Sequence, residues 1–411
     1  MRKLFNYAKK EFIHYLKKNN EILVSDTTLR DGEQMPGVFY TPSQKLEIAS
    51  YLAQMGVHSI DAGFPICSEG EKQGVKAIAS NISRYKGIRP IITTLSRAKK
   101  EDIDASYDCL KNLSKMRRGV SIFLGSSPQH RKKLGKEKKE ILQLATDSIN
   151  YAKQYFDIIS FAPEDASRTE LEFLVELYTE AIKAGASNIG FTDTVGILTP
   201  EETKSYVTHI NKNVKGIEDV LFAIHFHNDL GLAVANSLAA IETGYVNVFQ
   251  GTIGGIGERS GNTPIEPIVV ALNLKDYPKK TKIKTQMLSG AYNLVKKFSQ
   301  IPFSPFTPIV GDNIFKTEAG IHQDGILKSP DSYEIFPPEY VGVKKREFAI
   351  GKHSGRHAIF AKLEELECDF KCKEEEIYRD IKDYCDSHGS ISDEKLLNTF
   401  NNLIQNRGKI K

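Results

Sequence analysis

From residue 21 the chain repeats one pattern, which limits its fold more than any other feature. A short run rich in β-branched and aromatic residues is followed by an amphipathic stretch, and the pair recurs about every thirty residues. The β-rich runs are EILVSDTTL (21–29), HSIDAGFP (58–65), RPIITTLS (89–96), VSIFLGSS (120–127), IISFAPED (158–165), NIGFTDTV (188–195), VLFAIHFHN (220–228) and VNVFQGTIG (246–254). Between them, segments such as PSQKLEIASYLAQMG and TELEFLVELYTEAIKAG carry apolar residues at i, i+3, i+4 and i+7. Several end in Gly, the residue expected just past a helix C-terminus. Strands that alternate with helices pair in parallel. Eight such units in about 250 residues predict an α/β fold, the (β/α)8 or TIM barrel. A doubly wound open sheet is the alternative, weakened because no G-x-G-x-x-G turn follows the first strand.

The rhythm breaks near residue 280. KDYPKKTKIKTQ is basic and helix-poor, and the Pro-rich IPFSPFTPIVGDN reads as an irregular connector. We read residues 1–20 as an N-terminal helix and 21–280 as the barrel. Residues 281–345 read as a linker subdomain, and 346–411 as a small helical C-terminal domain. In the N-terminal segment Phe5, Ala8, Phe12 and Leu16 lie at helical spacing among six Lys/Arg and one Glu. It has no signal-peptide core, so a cytoplasmic location is expected, with an organellar transit peptide as the alternative.

Composition excludes several classes. A net charge of +4 gives no argument for nucleic acid, and no apolar run is long enough to span a membrane. Cys67, Cys109, Cys368, Cys372 and Cys385 are odd in number and scattered, which fits a reducing compartment. Cys368 and Cys372 lie one helical turn apart, with Cys385 further on. A metal site there is open, but separate thiols are the plainer reading.

In such a barrel, chemistry sits at the C-terminal ends of the strands. Those ends collect polar residues: Arg30, Asp31, Glu33 and Gln34 after strand 1, Glu164 and Asp165 after strand 5, Asp193 and Thr194 after strand 6. Strand 7 ends in HFHND and strand 8 leads into GERSGN. Residues i and i+2 of a strand share a face, so His225 and His227 face one centre, with Phe226 turned away. Two imidazoles and a carboxylate suit a divalent metal; the plainer alternative is a pair of hydrogen-bonded core histidines. Asp31 is the favoured carboxylate ligand, and Asn262 can add an amide oxygen. Arg30 can stabilise a developing oxyanion or form a rim salt bridge. In the linker, FKTEAGIHQDG holds Glu318 and His322; these, Tyr333 and GKHSGR (351–356) carry little weight alone.

Taken together, DTTLRDGEQMPG, IDAGFP, SFAPEDASRTELEFL, DTVGILTP, HFHNDLGLAVANSLAAIETG, GTIGGIGERSGN, EAGIHQDG and IGKHSGRHA resemble the 2-isopropylmalate synthase and homocitrate synthase family of the DRE-TIM metallolyase group. The likeness runs from about residue 22 to near the C-terminus. It implies an acyltransferase that joins acetyl-CoA to a 2-oxo acid in a Claisen-type condensation, with a divalent metal (Zn²⁺, Mn²⁺, Mg²⁺ or Co²⁺). By motif, Asp31, His225 and His227 would hold the metal with Asn262 beside it, and Arg30 would stabilise the oxyanion. Gln34, Glu164 and Thr194 would line the oxo-acid pocket. His322 would be the base or its relay, with Tyr333 and Glu318 beside it. The resemblance also implies a domain-swapped homodimer in which His322 serves the neighbour's barrel.

The chain departs from the family pattern around the oxo acid. Ser121 stands where many 2-isopropylmalate synthases have His, Ala162 where Ser is frequent, Gly254 where Asn is common, and Thr192 where bacterial members have Pro. GIHQDG, GKHSGRHA and LSRA with Arg97 lean toward 2-isopropylmalate synthase, so 2-oxoisovalerate and a place in leucine biosynthesis are expected. Homocitrate- or citramalate-synthase-type activity is the alternative, though no Arg near Ser160 is present to pair with a distal carboxylate. A metal-dependent 3-hydroxyacyl-CoA lyase is more distant, since no Gly-rich loop with a Cys occurs near 251–262. A non-catalytic oxo-acid or CoA sensor conflicts with the retained Arg30, Asp31, His225, His227 and His322. The C-terminal leucine-regulatory domain of many 2-isopropylmalate synthases is not expected.

Overall fold

The computed structural model describes residues 13–15, 17–82, 89–368 and 374–405. Residues 1–12 and 16 of the expected N-terminal helix, and Cys372, lie outside them. The chain divides into two compact units, Met1–Pro302 and Phe303–Lys411.

The first unit is a closed barrel of eight parallel strands in chain order. They are β1 (Leu23–Asp26), β2 (Ser59–Asp61), β3 (Ile91–Arg97), β4 (Arg118–Gly125), β5 (Ile158–Glu164), β6 (Asn188–Asp193), β7 (Leu221–Phe226) and β8 (Val248–Gly251). Closure comes from β1 pairing with β8, with Ser25 opposite Gln250. Helices follow each strand: α1 (Pro42–Met55), α2 (Glu69–Ile82), α3 (Lys100–Leu110), α4 (Pro128–Leu134) and α5 (Lys138–Ala152), both after β4, α6 (Leu171–Ala184), α7 (Pro200–Asn213), α8 (Ala233–Glu242) and α9 (Ile265–Leu274). Local chemistry sets the helix ends. Thr41 Oγ1 accepts from Gln44 N while Gln44 Oε1 accepts from Thr41 N, Pro42 opens α1, and Gly56 ends it at φ 100°. A tenth helix, α10 (Leu288–Ser299), lies in the stretch read as linker but belongs to the barrel unit. Its buried Leu288, Ala291, Tyr292 and Val295 follow the i, i+3, i+4, i+7 spacing of a packed face.

The barrel core is split by the pleat. Ile60, Ile92, Val120, Ile159, Ile189, Phe222, Ile224 and Phe249 point toward the helices and are fully buried. The opposite, inward face mixes large apolar residues such as Leu23, Phe123, Ile158 and Leu221 with small ones, including Ser25, Thr93, Ser121, Ser160, Ala162, Gly190 and Ala223. Bulky branched residues usually fill a barrel of this kind. Here the small ones leave a cavity of about 320 Å³.

The second unit has a two-stranded parallel ladder, β9 (Lys316–Thr317) with β10 (Glu347–Phe348), and helices α11 (Gly320–Lys328), α12 (Arg356–Glu365), α13 (Glu374–His388) and α14 (Asp393–Gln405). Its own core joins Ile350, Ile359, Leu363, Ile377, Ile381, Cys385 and Leu396, with Cys368 packed against it. These two thiols thus sit among apolar side chains. Among the described residues, no helix is long and apolar enough to cross a membrane.

Candidate metal centre and active site

The turn after β1 is built by its last residue. Asp26 is fully buried, and its carboxylate accepts from Thr28 N and Thr28 Oγ1, each at 2.9 Å. Burial pushes the Asp26 carboxyl up to about 7. Thr28 Oγ1 in turn accepts from Ile253 N at 2.9 Å, tying this turn to the loop after β8. The amides of Arg30 and Asp31 both return to Thr27 O. Together these bonds set Arg30 and Asp31 at the barrel mouth.

β7 supplies the imidazoles. His225 Nε2 lies 3.3 Å from Asp31 Oδ2, His227 Nε2 lies 4.0 Å from it, and the two Nε2 atoms are 3.3 Å apart. Phe226 packs edge-on to Phe191, which meets Tyr206 of α7, so it faces the helical layer. Asn228 Oδ1 accepts from Ala233 N at the start of α8, and Asp229 pairs with Arg259 at 2.8 Å; both shape the exit from the strand. Arg30 donates from Nη1 to Asp31 Oδ2 at 2.7 Å and from Nε to Asp61 Oδ2 at 2.8 Å.

The electrostatics suit a cation. Burial raises the Asp31 carboxyl, but Arg30 and the two imidazoles outweigh it and hold it well below the usual range. Burial, then the neighbouring His225, push His227 down to about 4, so near neutrality it presents a lone pair. Asp31 Oδ1, both Nδ1 atoms and Asn262 Oδ1 are buried without a partner. The two orphaned oxygens, beside the paired Nε2 atoms of His225 and His227, make a donor set that a divalent metal satisfies. Among the described residues this is the one group of His, Cys, Asp and Glu that can hold a metal. Asn262 is bridged to His227 through the backbone, with its Nδ2 on Ile256 O.

The cavity runs down from this cluster. Of the residues expected to bind substrate, Gln34, Ser121, Ala162, Glu164 and Thr194 line it, as do Arg30 and Asp31. Thr194 Oγ1 accepts from Asp165 N at 2.8 Å, which leaves its own hydrogen to donate. Arg97 is held away: it forks onto Asp102 at 2.7 and 2.9 Å and lies over Phe64, which does line the cavity. Glu318, His322 and Tyr333 belong to the second unit. There the His322 ring lies 4.3 Å from that of Tyr333, and both residues are exposed. Glu318 is partly buried, and its carbonyl accepts from Ser354 Oγ.

Two residues that build the site escaped the sequence reading. Asp61 ends β2 inside IDAGFP, lines the cavity and anchors Arg30. A carboxylate at a strand end was the available signal. Lys45 of α1 is buried, with Nζ 2.6 Å from both Glu33 and Glu71 and 3.2 Å from Leu29 O. Glu71 in turn accepts from Phe64 N, so Lys45 joins the loops after β1 and β2. Replacing Lys45 with Met strands two carboxylates. We expect a loss of about 3 kcal/mol, read from the urea midpoint. An unshifted midpoint would refute that role.

A parallel eight-stranded barrel that gathers two imidazoles and a carboxylate at its mouth defines a metal-dependent barrel enzyme. Residues 21–295 match the HMGL-like family, and residues 309–389 match the homocitrate synthase post-HMGL domain-like family. The chain is 43% identical to 2-isopropylmalate synthase of Geobacillus sp. (strain WCH70), over 92% of this chain and 72% of that one. It is 44% identical to methylthioalkylmalate synthase 3, chloroplastic, of Arabidopsis thaliana, over 85% and 72%. A solved HMG-CoA lyase from Bacillus subtilis shares the fold, with a TM-score of 0.58 and 20% identity over 69% of this chain and 95% of that one. The chain belongs to the HMGL-like family, in its 2-isopropylmalate synthase group, and is an acyltransferase.

Proposed function

We propose that this enzyme condenses acetyl-CoA with a 2-oxo acid, and that the acid is 2-oxoisovalerate, giving 2-isopropylmalate and CoA. The observation that carries the reading is the Arg30–Asp31 turn facing His225 and His227 above a cavity that also holds Glu164 and Thr194. Asp31, His225 and His227, with Asn262 beside them, would hold Zn²⁺, Mn²⁺, Co²⁺ or Mg²⁺. Such a cation supplies Lewis acidity, polarising the oxo acid's carbonyl and anchoring its carboxylate.

The chain's own groups do the rest. Gln34 and the free hydrogen of Thr194 bind the oxo-acid carboxylate, and Glu164 takes a hydroxyl or water hydrogen beside it. A base removes a proton from the methyl group of acetyl-CoA. The resulting enolate carbon bonds to the carbonyl carbon, and the carbonyl electron pair moves onto its oxygen. Asp31 and Asp61 engage Nη1 and Nε of Arg30, leaving further donors of the same guanidinium for that oxyanion. Water then cleaves the thioester and releases CoA. We assign the base to His322 and Tyr333, aided by Glu318 and acting on the barrel of a partner in a domain-swapped homodimer. The exposed His322–Tyr333 pair supports this, since it leaves an imidazole free for substrate.

Thiol release from acetyl-CoA across a panel of oxo acids, with and without a chelator, tests the reaction. Release that requires 2-oxoisovalerate and metal supports the assignment. Activity confined to 2-oxoglutarate or pyruvate moves it to the homocitrate or citramalate type. The swap has its own test, in which inactive Asp31→Ala and His322→Ala chains are mixed and allowed to exchange. About a quarter of wild-type activity should return, because half the dimers are mixed and each holds one intact site. No recovery would mean that each chain completes its own site.

A further inference from the structure

The inward face of β5 and β6 has a gap below Glu164 and Thr192. Ala162 and Gly190 stand side by side there. A Cβ built on Gly190 meets Ala162 Cβ at 3.3 Å and nothing beyond that residue within 4 Å. The space in front of it is therefore open. A glycine inside a strand weakens the strand and often marks a place where a ligand comes close. The backbone of Gly190 is in an ordinary conformation for any residue, so no turn demands glycine here.

The cavity continues past this gap. It reaches Ser160 and Asn188, where Asn188 Nδ2 donates to Ser160 Oγ at 3.3 Å. From Thr192 to Asn188 along β6 is roughly 13 Å at the usual rise of a strand. An isopropyl group held by a carboxylate at the mouth does not reach that far. Charge decides what does. Among the described residues, Arg30 is the only Lys or Arg lining the cavity, and it is already bonded to Asp31 and Asp61. His58, near the floor, accepts from Val24 N through Nδ1 and bonds Glu21 through Nε2. A second carboxylate on the ligand would meet no free cation, and burying it unpaired is costly.

We infer that this barrel also accepts 2-oxo acids with neutral side chains longer than isopropyl, which run past Ala162 and Gly190 toward Ser160 and Asn188. Gly190 and Ala162 set the length limit. The inference rests on the synthase reading above and names the substrate class of that same site.

The test is kcat/KM from CoA thiol release with pyruvate, 2-oxoisovalerate, 2-oxohexanoate and 2-oxoglutarate, for the wild type, Gly190→Val and Ala162→Leu. The wild type should use 2-oxohexanoate within about tenfold of 2-oxoisovalerate, and 2-oxoglutarate at least about a hundredfold less well. Each variant should lower the ratio of 2-oxohexanoate to pyruvate by about tenfold or more, since added methyl groups block the long chain first. Two variants on neighbouring strands keep the test alive if one fails to fold, which circular dichroism would show. Turnover of 2-oxoisovalerate without 2-oxohexanoate overturns this inference and leaves the synthase reading standing. Equal losses on long and short acids overturn the steric role. Release with none of the acids overturns the synthase reading and this inference together.

Discussion

Asp31→Ala is expected to lose both its metal and its turnover. Among the described residues Asp31 is the one carboxylate that meets both imidazoles, at 3.3 and 4.0 Å, and its Oδ1 is buried without a partner. Removing it leaves the two imidazole nitrogens without an anionic ligand, too little to hold a divalent ion against water. Loss of the cation's polarising effect should lower kcat/KM on the order of 10³-fold or more. Plasma mass spectrometry gives the metal content of purified protein, and thiol release gives the rate. Stability should change little in the metal-free protein, because Asp61 remains to pair Arg30. A variant that kept stoichiometric metal and full turnover would exclude Asp31 as ligand.

The Arg30 variants should separate charge from geometry. Arg30 spans two buried carboxylates, and Asp61 has otherwise only Thr27 Oγ1 at 3.2 Å. Arg30→Ala leaves Asp61 buried and unpaired, which costs about 3–5 kcal/mol on top of lost catalysis. Burial already raises the Asp61 carboxyl and Arg30 only partly offsets this, so the variant raises it further. A carboxyl whose folded pKa lies above its unfolded value binds its proton more readily when folded. The stability deficit of Arg30→Ala should therefore be largest near neutral pH and shrink as pH falls through the raised Asp61 pKa. Urea midpoints at pH 5 and pH 7.5 read this directly; a deficit that grew on acidification would contradict it. Arg30→Lys keeps the charge, but one ammonium cannot fork onto two carboxylates and still serve an oxyanion. It should fold nearly as well as the wild type and lose about 10²–10³ in kcat.

Parts of this site were legible because they depend on short spacing. The H-x-H of β7 is an i, i+2 pair, and any strand puts such a pair on one face. The repeat of strand and helix likewise announced the barrel, whose eight strands close in chain order. Arg97 shows the limit of motif reasoning, since a local Asp102 claims its guanidinium. Asp61 was hidden for a different reason. Its partner lies one strand away, and a lone Asp at a strand end has many bland uses. The helix Leu288–Ser299 carried a readable apolar stripe, but the basic run before it masked the boundary.

By itself, the sequence determined the periodicity, and with it eight parallel strands and a layer of helices. It also determined which donors stand at strand ends, because side-chain alternation is a property of the backbone. Tertiary structure alone decided which carboxylate meets the imidazoles. β1 and β7 lie about two hundred residues apart in the chain, and only closure through β8 brings Asp31 to 3.3 Å from His225. It also decided the emptiness in front of Gly190. A void is the sum of what eight strands fail to place at one level, and no single segment records it.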